Sequence, residues 1–152
     1  MCIFCKIIKG ELPSYKIYED EKTYAFLDIS DDAIGHTLVI PKAHYENIME
    51  VPEEDLQAVM TTVRKIAKHY VDNCGYTGVN LMNASGVSAQ QSVFHLHIHI
   101  IPRVEGDGLD TWPKMDKKNA DLQAVYEKMK MIQHLHFLFS LLVFFFLNLT
   151  YC

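Results

Sequence analysis

The sequence predicts an α+β fold: a mainly antiparallel sheet of about five strands, one long helix and short flanking helices. Three observations lead there. Segments with two-residue alternation outnumber those with helical spacing. The stretch 52–73 carries the clearest 3.6-residue pattern. His95-Leu-His-Ile-His-Ile-Ile101 alternates imidazole against aliphatic side chains and runs into Pro102.

Taken in order, Cys2–Lys9 is short and apolar and reads as a helical turn closed by Gly10. Tyr15–Tyr18 and Thr23–Leu27 read as strands around a hairpin turn at Glu19–Lys22. Thr37–Pro41 is a third strand, mostly β-branched and apolar. Pro52 opens the long helix, Glu53, Glu54 and Asp55 suit its dipole, and Gly75 ends it. Leu56, Val59, Met60, Val63, Ile66, Ala67, Tyr70 and Val71 are its predicted buried face. Gly78–Met82 is a fourth strand, Asn83–Ser92 a loop of small polar residues, and Val93–Ile101 the histidine strand.

At 152 residues, 49% hydrophobic and 22% charged, the chain suits one globular domain with a real core. A net charge of −5 argues against a nucleic-acid surface held by bulk electrostatics. It leaves room for a nucleotide, whose phosphate a nest of backbone amides can hold. No stretch near Met1 has the basic-then-apolar form of a signal peptide, so a cytoplasmic protein is expected. In that compartment Cys2-x-x-Cys5 points to metal or redox chemistry.

The histidine row is a chemical site in the making. Side chains two apart on a strand share a face, so His95, His97 and His99 face one way and Leu96, Ile98 and Ile100 the other. With a rise of about 3.3 Å per residue, His95 and His99 stand roughly 13 Å apart, too far for one zinc. The three therefore divide their labour. Imidazole suits proton transfer, metal ligation and nucleophilic attack near neutral pH.

His95-φ-His97-φ-His99-φ-φ, with φ apolar, resembles the signature of the histidine triad (HIT) family. Cys2-Ile-Phe-Cys-Lys-Ile-Ile8, Ala25-Phe-Leu-Asp-Ile29, Gly35-His-Thr-Leu-Val-Ile-Pro-Lys-Ala-His44 and Gln91-Ser-Val-Phe94 also look like HIT segments, in HIT order. The resemblance covers residues 1–115 and implies the HIT-like fold and a homodimer. It implies a nucleotide hydrolase or transferase acting at the α-phosphate of purine nucleotides, with a covalent nucleotidyl-histidine intermediate. His97 would be the nucleophile. His99 and His36 would stabilise phosphoryl oxygens or move a proton, with Ser92 beside them. Asn83, Gln91 and Ser92 would contact the nucleotide together with His97 and His99, and Asp28 would accept hydrogen bonds from the ribose hydroxyls. Phe4, Ile7, Leu12, Phe26 and Ile29 would enclose the base. The loop departs from the commonest family pattern: Gln90 stands where glycine precedes the glutamine, a strained choice if φ is positive there.

Cys2, Cys5, His44 and His95 make a donor set for a closed structural zinc site, as in several HIT-like proteins; a redox pair or two buried thiols are the alternatives. Within the family, the Hint branch implies hydrolysis of phosphoramidates or adenylates, and the Fhit branch hydrolysis of diadenosine polyphosphates. Ile101-Pro-Arg103 and Glu105-Gly-Asp107 lean toward Fhit. A nucleotide-binding regulatory protein with vestigial catalysis is a further alternative. Residues 116–130 read as a helical extension. Residues 131–152 contain no Asp, Glu, Lys or Arg and read as a marginal membrane anchor, an extra packed element or non-native sequence.

Overall fold

A computed structural model describes residues 2–30, 33–111 and 118–131. Helix α1 (Ile3–Ile8) precedes strands β1 (Lys16–Glu19), β2 (Thr23–Leu27) and β3 (Thr37–Pro41). Helix α2 (Glu53–Asn73), β4 (Gly78–Met82) and β5 (Ile98–Arg103) complete the α+β domain. The five strands form one antiparallel sheet in the order β1-β2-β3-β5-β4. Contacts divide the chain into two units, residues 1–112 and 113–152. Helix α3 (Leu122–Met129) belongs to the second and is capped by Asp121, whose carboxylate accepts from the amides of Gln123 and Ala124. Of the tail expected over residues 131–152, all but Met131 lies outside the described residues. Among the described residues no helix is long and apolar enough to cross a membrane.

Strand alternation gives the sheet two apolar faces. On one, Ala25, Val39, Ile98 and Ile100 pack with Val59, Val63, Ile66 and Tyr70 of α2. On the other, Phe4 of α1 packs with Tyr24, Phe26, Leu38 and Ile40. The helix buries a narrower stripe than its pattern predicts: Met60 and Val71 are exposed, while Thr62 is buried. Thr62 is accommodated because its hydroxyl pairs with that of Thr23 at 2.8 Å. The Thr37 and Tyr70 hydroxyls pair likewise at 2.7 Å. We expect Tyr70→Phe to cost about 1 kcal/mol in denaturant unfolding. Thr37 keeps a second partner in the Gly35 carbonyl, which limits the loss.

The histidine segment departs from expectation. Regular pairing begins at Ile98, not Val93, and continues to Arg103. His95 and Leu96 lean instead on the chain that follows β3: the Leu96 amide donates to Tyr45 O at 2.7 Å. The first strand is Lys16–Glu19, one residue later than predicted, with an irregular register between Lys16 and Tyr18.

Candidate active site

Each histidine of the row has its own surroundings. His95 is fully buried. Its Nε2 lies 2.9 Å from Pro41 O. A carbonyl only accepts, so Nε2 carries the proton and Nδ1 holds the lone pair. That Nδ1 lies 3.5 Å from Cys2 Sγ, 3.6 Å from Cys5 Sγ and 3.2 Å from His44 Nδ1. Cys5 Sγ and His44 Nδ1 are 3.4 Å apart. Burial holds the His95 pKa below the ordinary imidazole value. Burial, then the neighbouring Cys2 thiol, raises that of Cys5.

His97 has the opposite tautomer. Its Nδ1 lies 2.7 Å from His95 O, so Nδ1 carries the proton and Nε2 offers the lone pair. The ring meets Phe4 edge-on at 5.4 Å and His99 at 4.8 Å between centroids. Strand pairing brings in the fourth imidazole: β3 pairs with β5 with Leu38 opposite His99, and His36 lies just ahead of β3. His36 Nε2 is 2.8 Å from His99 Nδ1. Gly35, just ahead of His36, lets the chain turn closely against Tyr76 and Pro102. Its φ is +79°, and a Cβ there would stand 3.0 Å from the Tyr76 hydroxyl and 3.2 Å from Pro102.

Beside the histidines lies a cleft of about 120 Å³ between α1 and the ends of β2 and β3. Phe4, Ile7, Phe26, Ile29 and Asp28 line it, as does Leu38. Pro13, not Leu12, forms part of its wall. Leu38 was legible in principle, since it shares its face with Ile40 and lies opposite Phe26 in the register. Ile29 stands at the lip, 84% exposed.

The loop residues divide differently from expectation. Gln91 is buried and both ends of its amide are committed to backbone. Its oxygen accepts from Gly86 N at 2.7 Å, and its nitrogen donates to Glu46 O and Val93 O at 2.7 and 3.0 Å. These bonds hold the shape of the loop that leads to the histidine segment. Asn83 is exposed and donates to His97 O at 2.8 Å, tying the loop to the histidine segment. Ser92 is exposed at the loop's end. Gln90 does take a left-handed conformation, φ 64° and ψ 30°, closing the 3₁₀ turn Val87–Ala89.

Arg103 and Asp107 face each other. Asp107 accepts both Nε and an Nη of Arg103 at 2.7 Å, and the guanidinium also reaches Asn80 Oδ1 and Leu109 O. This bidentate pairing holds the Asp107 carboxyl far below the usual carboxylate range.

Known proteins resemble this chain in sequence and fold. The chain matches the HIT domain family over residues 9–106. It is 40% identical to the adenosine 5'-monophosphoramidase HNT1 of Candida albicans, covering 85% of this chain and 89% of that one. A crystal structure of a HIT family member from Bacillus subtilis superposes with a TM-score of 0.72 at 48% identity, covering 84% of this chain and 93% of that one. A zinc-bound histidine triad family protein from Mycobacterium smegmatis superposes with a TM-score of 0.68 at 37% identity, covering 76% and 84%. The matched span takes in the sheet, the long helix and all four site imidazoles, and on that breadth the chain belongs to the HIT domain family.

Proposed function

We propose that this protein hydrolyses purine nucleotides at the α-phosphate, with nucleoside phosphoramidates or related adenylates as substrates. The observation that carries this reading is the tautomer of His97: its Nδ1 proton is held by His95 O, so Nε2 presents a lone pair beside the His36–His99 pair. The nucleotide's base lies in the cleft of Phe4, Ile7, Phe26 and Ile29, with the ribose at Asp28. His97 Nε2 attacks phosphorus, the bond to the leaving group breaks, and His99 delivers a proton to the departing atom. Water then attacks the nucleotidyl-His97, the P–N bond breaks, and the proton lost by water returns to His99. Ser92 and loop amides stabilise the phosphoryl oxygens. The name carried by the Candida albicans relative supports a phosphoramidate.

The dinucleoside polyphosphate alternative rested partly on Arg103 and Asp107, and these bind each other and the loop after β5. Purified protein should release AMP from adenosine 5'-phosphoramidate faster than it cleaves a diadenosine triphosphate. Acid-free quenching should show a nucleotidyl mass increment on the peptide containing His97. Tight AMP binding without turnover or increment would favour the vestigial reading.

The Cys2, Cys5, His44 and His95 cluster fits zinc. All four donor atoms lie within 4.8 Å of one another. A tetrahedral zinc with the usual bond lengths sets nitrogen–nitrogen edges at about 3.3 Å and sulfur–nitrogen edges at about 3.5 Å, close to the separations here. The Pro41 carbonyl orients His95 as outer hydrogen-bond partners of ligating imidazoles do. Bound zinc would fasten α1, and with it Phe4, to the segment carrying His97.

A homodimer belongs to the same proposal. β4 is an edge strand, and Met60, Val71 and Leu81 are exposed along the groove between it and α2. Leu81→Arg should halve the mass measured by sedimentation, and an unchanged mass would move the interface elsewhere.

A further inference from the structure

The carboxylate assigned to the ribose also faces the phosphate-side imidazoles. Asp28 Oδ2 lies 3.8 Å from His36 Nδ1, within ion-pair range, and both side chains are largely sheltered, at 21% and 5% exposure. The pair is held by the backbone. The Asp28 amide donates to His36 O at 2.8 Å across the 28–36 loop, and Asp28 Oδ1 accepts from the Ser30 amide at 2.9 Å. His36 Nε2 in turn lies 2.8 Å from His99 Nδ1. Donor atoms of Asp28, His36 and His99 all fall within 4.8 Å of one another. A carboxylate, an imidazole and a second imidazole thus stand in sequence, ending beside His97.

We propose that Asp28 is a positioning residue for proton delivery, acting through His36 on His99, in addition to its role at the ribose. This rests on the hydrolase reading above. A carboxylate beside His36 Nδ1 favours the proton on that nitrogen. His36 Nε2 is then the acceptor for the His99 Nδ1 proton. A further proton on the pair, balanced by the Asp28 charge, resides on His99 Nε2 and is the one delivered to the leaving group. When the bond from phosphorus to the leaving group breaks, that proton passes to the departing atom and His99 becomes neutral. The attacking water later returns a proton to the same nitrogen. Asp28 stays ionised throughout.

Asp28→Asn leaves the loop in place, because the amide oxygen can still accept from Ser30 and the backbone bond to His36 is untouched, and a substrate without ribose hydroxyls separates the positioning role from ribose binding. The full chain and its Asp28→Asn variant are compared on adenosine 5'-phosphoramidate and on the 2',3'-dideoxy analogue. The variant should lose at least about tenfold in kcat on both substrates. A residue that serves the ribose alone would change KM on the parent substrate and leave the dideoxy analogue unaffected; that result overturns the proposal. A second arm needs no turnover. In nucleotide-free protein, imidazole ¹⁵N spectra should show His36 protonated on Nδ1 in the parent chain and moved toward Nε2 in Asp28→Asn. Unchanged His36 and His99 signals overturn the proposal. Absent turnover by the parent chain would instead count against the hydrolase reading, with the spectra still deciding the role of Asp28.

Discussion

His97→Ala is expected to abolish turnover of adenosine 5'-phosphoramidate, with kcat falling at least about a thousandfold. The variant removes the atom that attacks phosphorus and so the covalent intermediate, while leaving His36, His99 and the cleft in place. The core side of the segment is untouched, since Leu96, Ile98 and Ile100 remain buried. The stability cost is limited to the imidazole's own contacts: the hydrogen bond to His95 O and edge-on packing with Phe4 and His99. That amounts to about 1–3 kcal/mol. Steady-state release of AMP and a thermal melt measure the two effects separately. Near-normal turnover by a folded variant would remove His97 from the mechanism.

Metal removal is the second large effect expected. Protein purified without chelators should carry about one zinc per chain, and Cys5→Ser should lose it. Binding to the folded state alone stabilises by roughly 3–4 kcal/mol when zinc is 100–1000 times its dissociation constant. For a chain of this size the melting temperature should drop by roughly 10 °C. Acid should act in the same direction. The folded pKa of His95 is depressed by burial, so the unfolded chain binds more protons just below its own value of about 6.5. This contribution is complete above that pH and is lost as pH falls through the window beneath it. Metal analysis and melts at several pH values are the measurements. A metal-free protein with the melting temperature of Cys5→Ser would leave the cysteines as ordinary thiols.

The elements most legible in the sequence are those governed by local periodicity and punctuation. Thr23–Leu27, Thr37–Pro41 and Gly78–Met82 are strands over the predicted spans, because alternation and flanking turn residues act within a few positions. Helix α2 runs between Pro52 and Gly75 for the same reason. The division of labour along the histidine row was also readable, since strand rise alone separates His95 from His99. In the structure these two fall in different donor clusters.

What tertiary structure decided is everything that depends on which segment lies beside which. The histidine row becomes a strand only from Ile98, because Tyr45 and Pro41 supply backbone partners for Leu96 and His95 from the chain around β3. No local pattern encodes that Pro41 and His95 carbonyls would select opposite tautomers for His95 and His97. Gln91 turned inward because backbone groups of the loop at Gly86 and of the distant segment at Glu46 take its amide as partner. The approach of Asp28 to His36 follows from the β2–β3 register that sets Leu27 opposite Thr37, and that of His36 to His99 from the register that sets Leu38 opposite His99. Sequence by itself determined the residue types available for chemistry and the periods that form the elements. The pairing of β3 with β5 decided which imidazoles meet, because hydrogen-bond register between distant segments is a property of the assembled sheet and not of any stretch of chain.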